Sequence, residues 1–236
     1  MRTLVLAALL PLVACGNNAR VEGEAVAATG TGASRTYDVR DFSAVTLSGS
    51  DNVDVRVGGG FAVRAEGDPQ ILDKLVISRE GDRLIVSRRW SGVRGNARVF
   101  VTLPTLTAAA LDGSGDLTID RVRGAGFDAR LAGSGNLRIA QVATESLALA
   151  VAGSGDISAA GQTGRLTIRS AGSGDIDASG LAARDAEVRL AGSGDVRATV
   201  RGAATVSLVG SGDVDLGPAA RCTVRKAGSG TVRCGG

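Results

Sequence analysis

Apolar and polar residues alternate with a period of two from Ala109 almost to the end of the chain, and the alternation restarts every 18–20 residues. The tripeptide Gly-Ser-Gly marks each restart. It begins at Gly113, Gly133, Gly153, Gly172, Gly192, Gly210 and Gly228, with spacings of 20, 20, 19, 20, 18 and 18. Aligned on these glycines, the aliphatic residues fall into columns. After the turn one column reads Leu117, Leu137, Ile157, Ile176, Val196, Val214, Val232, and the next reads Ile119, Ile139, Ala159, Ala178, Ala198, Leu216, Cys234. Before the turn the columns read Leu111, Leu131, Val151, Ser170, Leu190, Leu208, Lys226 and Ala109, Ala129, Leu149, Ile168, Val188, Val206, Val224. Each repeat therefore predicts two strands with one inward face each.

Repeats of this length fit one turn of a solenoid. The outward column Thr118, Arg138, Ser158, Asp177, Arg197, Asp215, Arg233 ends in alternating charge, as stacking in register would favour. Hairpins of an antiparallel sheet are the rival, but the turns lack the two-residue Asn-Gly or Asp-Gly form. The expected fold is all-β: a right-handed parallel β-helix-like solenoid of about 18–20-residue coils, its hand not encoded in the residues. Upstream, residues 45–55 fit the repeat, with Asp51 in place of the third glycine. The 64 residues from Gly49 to Gly113 would hold about three irregular coils, with a hairpin turn at Glu80, Gly81 and Asp82 and one helical turn near residues 71–75.

Composition narrows the chemistry. The 236 residues include 35 glycines and no histidine, which removes Ser-His-Asp and Cys-His catalysis and histidine metal sites. The 27 basic and 24 acidic residues are near balance, which argues against nucleic acid as a partner. The residue after Gly-Ser-Gly is acidic at Asp116, Asp156, Asp175, Asp195 and Asp213. Three readings stand: a turn-stabilising side chain, a calcium row with part of the β-roll pattern, or a polar strip for a ligand. Stacked carboxylates repel, so arginines, solvent, a cation or a ligand must offset them. No Gly-Ser-Gly is followed by the Lys-Ser/Thr of a phosphate loop, and no cofactor is implied. Trp90, between Arg89 and Ser91, is read as partly buried packing or as an exposed contact.

The first 15 residues, MRTLVLAALLPLVAC, have a basic start and an apolar run too short to span a bilayer. Leu12-Val13-Ala14-Cys15 resembles a bacterial lipobox. This divides the chain into a lipoprotein signal peptide (1–14), a lipidated N-terminus with palmitate on Cys15 and a flexible tether (15–35), and one β-domain (36–236). Gly16 in place of Asp favours the outer membrane, facing either the periplasm or the exterior. Cys222 and Cys234 flank the last turn on inward positions, and secretion favours a disulfide between them.

Tyr37 to Val45, Leu47-Ser48-Gly49-Ser50, Val99 to Pro104 and the repeated Ala-Gly-Ser-Gly-Asp together resemble the putative auto-transporter adhesin, head GIN domain family, over residues 36–235. The resemblance implies a β-helix-like domain, often secreted or lipid-anchored, and brings no catalytic residues. The expected function is a membrane-anchored cell-envelope binding or adhesion module without catalytic activity. Its expected partners are the membrane, through the lipid, and a polysaccharide or another envelope component. A rigid envelope spacer, or a polysaccharide-processing enzyme, are the alternatives. An enzyme needs clustered, perturbed carboxylates, whereas these recur evenly.

Overall fold

A computed structural model of the chain describes residues 24–89, 92 and 94–235. The signal peptide, Cys15 and Trp90 lie outside the described residues.

The strand Asn136–Gly153 covers a whole repeat, and its burial alternates except at two places. Ala140 and Gln141 are both exposed, as are Glu145 and Ser146. Because successive side chains of a strand point to opposite faces, two exposed residues in a row mark a corner. These corners and Gly-Ser-Gly give each turn three sides. The fold is a parallel β-solenoid of about six turns of roughly 20 residues. Its columns are those of the sequence: Leu117 stacks on Leu137, and the line continues through Ile157, Ile176, Val196 and Val214 to Val232. The core is the continuous inner stack, buried from Leu47 to Leu216.

Two sides match the expected strands; the third is an addition. Its inward positions hold Val122, Val142 and Leu181 in one row and Thr144, Thr163, Ala183 and Val200 in the other. The buried hydroxyls of Thr144 and Thr163 share a hydrogen bond of 3.2 Å. Register shifts fall between Ile139 and Val142, between Ser158 and Gly161, and between Ala178 and Ala182. Repeat lengths thus change at the corner leading into this side, which blurs its columns in the sequence.

The stretch between Gly49 and Gly113 departs from the expected three coils. Ala44–Gly49 and Asn52–Val57 stack parallel on Ala108–Gly113 and Asp116–Ile119, and Arg83–Arg88 and Arg98–Leu103 lie parallel beneath them. Below these the direction reverses. Leu75–Glu80 pairs antiparallel with Arg83–Arg88 through the turn at Gly81, and Ala62–Glu66 pairs antiparallel with Arg98–Leu103. The expected hairpin and a single helical turn, Pro69–Leu72, are present. Asp68 caps that turn by accepting from the Gln70 amide at 2.7 Å, and Ile71 and Leu72 are buried under the stack. Residues before 35 carry strands as well. Glu24–Ala25 pairs with Leu75–Glu80, and Ser34–Tyr37 pairs with Ala62–Glu66, because the antiparallel cap offers them free strand edges.

Asp51 explains its own departure from glycine. It is 1% exposed, accepts the Ala97 amide at 2.7 Å, and lies 3.5 Å from the Arg88 guanidinium. Arg88 also donates to the Ser50 hydroxyl at 2.9 Å. The carboxylate thus fastens the first corner to the irregular loop beneath it.

At the other end, Cys222 and Cys234 form the expected disulfide. Lys226 occupies a core column but is exposed, and its ammonium donates to the Gly230 carbonyl at 2.9 Å. The stack ends here.

The corner glycines are fixed by two constraints. The first glycine of each corner from Gly113 to Gly228 has φ between +125° and +147°, which disfavours any side chain. A Cβ at Gly172 would also collide with the Gly153 carbonyl oxygen of the preceding turn. Gly172→Ala should therefore cost at least about 3 kcal/mol in chemical denaturation, combining backbone strain and overpacking. At Gly60 a Cβ would meet no heavy atom within 4 Å, so Gly60→Ala should stay within about 0.5 kcal/mol.

Candidate functional site

The Asp row runs along the corner just after Gly-Ser-Gly, and its carboxylates face backbone. Asp156 Oδ1 accepts the Asp175 amide at 2.8 Å, Asp175 Oδ1 accepts the Asp195 amide at 2.7 Å, and Asp195 Oδ1 accepts the Asp213 amide at 3.0 Å. Asp213 Oδ1 ends the ladder by accepting both the amide and the hydroxyl of Thr231 at 2.8 Å. Asp116 differs: it accepts from the Asn136 side-chain amide at 2.9 Å. Each carboxylate thus holds the following turn. The N–H donors, with Arg197 on Asp195 Oδ2 at 2.9 Å, offset the repulsion between stacked charges. Among the described residues no three acidic or cysteine side chains are grouped to hold a metal ion.

The alternating outward column stacks in the expected register, Asp177 on Arg197, Arg197 on Asp215 and Asp215 on Arg233. The close ion pair of Arg197 is with Asp195 of its own turn. Arg197 therefore acts on Asp177 through its field.

Three carboxyls are held below the usual carboxylate range. Asp177 accepts the hydroxyl of Ser179 at 2.6 Å and its amide at 3.0 Å. Asp185 is lowered first by the Arg184 guanidinium and then by the Ala203 amide. Asp213 is lowered by the Thr231 amide and hydroxyl.

An open depression lies over the third side. It is a groove of about 980 Å³. Its floor carries Ala143, Gln162 and Ala182 from successive turns, and Glu145, Arg184 and Arg201 are among the residues lining it. Arg184 is turned toward Asp185, at 2.9 Å. The alanines of that floor are short, and Gln162 stands between them. None of these residues stands out in the sequence as a candidate. Counting eight residues back from each following Gly-Ser-Gly gives Ala125, Glu145, Gly164, Arg184 and Gly202 as a column, the signal that would have found this rim.

The ladder gives two expected outcomes. Asp175→Asn keeps a side-chain carbonyl for the Asp195 amide, as Asn52 does for the Asp116 amide, and should be nearly neutral. Asp175→Ala leaves the amide without its acceptor and should cost about 1–2 kcal/mol in urea unfolding. Acid should act through Asp177, Asp185 and Asp213. Their folded values are lowered, so their contribution is complete above the unfolded value of about 4 and is lost as pH falls through the folded values. The melting temperature should fall as pH drops below about 4, and less steeply in Asp213→Asn.

The family model of the putative auto-transporter adhesin, head GIN domain, matches residues 41–219. No curated protein matches the chain. Among solved structures, a putative adhesin from Bacteroides fragilis is similar with a TM-score of 0.80 at 23% identity, over 85% of this chain and 95% of that one. A putative lipid binding protein from Parabacteroides distasonis gives 0.66 at 22%, with the same coverage. A putative adhesin from Parabacteroides merdae gives 0.70 at 18%, again over 85% and 95%. At these identities the likeness is one of fold.

Proposed function

Because the chain belongs to the putative auto-transporter adhesin, head GIN domain family, we propose that it is a non-catalytic binding module of the cell envelope, anchored to the outer membrane through lipidated Cys15. The observation that carries the binding role is the groove over the third side. Its floor of Ala143, Gln162 and Ala182 from successive turns suits an extended ligand lying along the axis, with Gln162 for a polar contact from the floor and Glu145, Arg184 and Arg201 from the rim. The ligand class is a polysaccharide or another envelope component.

The Asp row supports this reading indirectly. Acid–base chemistry on a glycoside needs two carboxyls across a cleft at a set separation. Here the ladder carboxylates follow one another along one corner and accept the amides of the next turn. The spacer alternative shares the rigid stack but gives no reason for a polar-rimmed groove.

Binding of the purified protein to arrayed bacterial glycans and to vesicles of envelope lipid tests the reading. Ala182→Phe places a ring on the groove floor and should weaken binding at least tenfold without lowering the melting temperature. Unchanged binding in both Ala182→Phe and Arg201→Ala would remove the groove as the site. Cys15→Ser should move the protein from the membrane fraction to the soluble one; retention in the membrane would refute the lipid anchor.

A further inference from the structure

The last turn is built unlike the rest. Arg221–Ala227 pairs on one side only, with Ala203–Gly210, and Val232–Arg233 pairs only with Val214–Asp215. Among the described residues no strand covers the other side. In a parallel stack the backbone hydrogen bonds run along the axis, so this edge carries a row of unpaired N–H and C=O groups. Six of the seven residues of Arg221–Ala227 are exposed, whereas the matching residues of earlier turns alternate.

Its side chains are also distinct. Residues 216–236 contain Arg221, Arg225, Lys226 and Arg233 and no Asp or Glu. None of the four has an ion pair among the described residues. Val224 continues the core column of Val188 and Val206 but is 43% exposed, because no described strand lies above it. Lys226 continues the column of Leu190 and Leu208. Whatever covers the turn must match an apolar residue and, two positions on, an ammonium.

We propose that this basic edge is a docking site for an extended acidic peptide segment of a partner protein, which adds to Arg221–Ala227 as a further strand. Strand addition satisfies the free backbone groups, and the side chains set the preference. An apolar residue faces Val224. A carboxylate faces Lys226, whose ammonium would otherwise be buried without a counter-charge. A second carboxylate meets Arg225 on the outer face. A second copy of this edge is a poor occupant, since it brings four like charges. The other end of the stack is closed by antiparallel strands. The ladder leads the same way: Thr231 stands where Asp would present a carboxylate to another turn of this repeat. This inference does not rest on the groove, and either can fail alone.

The test uses the full-length chain and a labelled heptapeptide, Glu-Thr-Thr-Val-Glu-Glu-Thr, read by fluorescence anisotropy. Saturable binding that weakens as salt rises is expected. A Lys-for-Glu peptide should not bind. A peptide of equal charge with Pro at its second and fourth positions should bind at least tenfold more weakly, since it cannot pair as a strand. R225E combined with K226E should reduce affinity at least tenfold, and R225Q alone should do so by a smaller factor if the double variant loses its fold. Amide exchange at 221–227 should slow when the heptapeptide is bound. The proposal is overturned if no saturable binding occurs, if the Pro peptide binds equally well, or if R225Q and R225E/K226E bind as wild type does. It is also overturned if polygalacturonate binds through these residues while the heptapeptide does not, which would make the edge a site for acidic polysaccharide.

Discussion

The whole molecule depends on how closely one corner can approach the next. Parallel strands in a sheet lie about 4.8 Å apart. At the Gly-Ser-Gly corners the backbone of one turn is set directly on the backbone of the turn before it. A Cβ on the first or third glycine would meet a carbonyl oxygen of that earlier turn, from Gly113 and Gly115 through to Gly228 and Gly230. The first glycine adds a left-handed backbone that a side chain resists. Once these corners are held at strand spacing, the two flanking sides fall into register. Leucine, isoleucine and valine then stack on their counterparts, and a continuous core follows with almost no aromatic residues.

The same spacing explains the acid that follows most corners. An aspartate there reaches up by one turn and accepts the next amide, so its charge is neutralised by donors the stack itself supplies. Asparagine does the same work at Asn52, where its side-chain carbonyl accepts the Asp116 amide at 3.2 Å. A row of carboxylates that looks like a metal or ligand strip in the sequence is therefore engaged with backbone before any ligand arrives.

How legible this was depended on whether the repeat kept its register. The sides next to Gly-Ser-Gly were readable because Leu117 and Leu131 lie at fixed distances from a glycine that cannot change. The third side was not, because insertions and deletions such as those around Val142, Gly161 and Leu181 gather at the corner before it. The groove is on that side, so its rim residues went unread for the same reason. The N-terminal cap was misjudged in kind. Alternating apolar residues at Leu75–Glu80 and Ala62–Glu66 look the same whether their strands run parallel or antiparallel, and only the turn at Gly81 showed the reversal. Cys222, Cys234 and Lys226 were readable as a terminus because a charge in a core column is incompatible with another turn above it.

The two ends solve the open-edge problem differently, and the difference has a direction. At the N-terminal end, antiparallel strands and the turn Pro69–Leu72 cover the stack, and Asp51 with Arg88 ties the cover to the first corner. At the C-terminal end, among the described residues, no strand covers the last turn. A disulfide keeps its shape, and its strands carry four cations and an exposed valine. Cations on a free edge keep like edges apart, so the arrangement prevents a second tip from stacking on the first. Repulsion of that kind is selective: it rejects basic strands and favours acidic ones. The first described strand, Glu24–Ala25, pairs within the covered end, so the uncovered edge is at the opposite end of the stack from it.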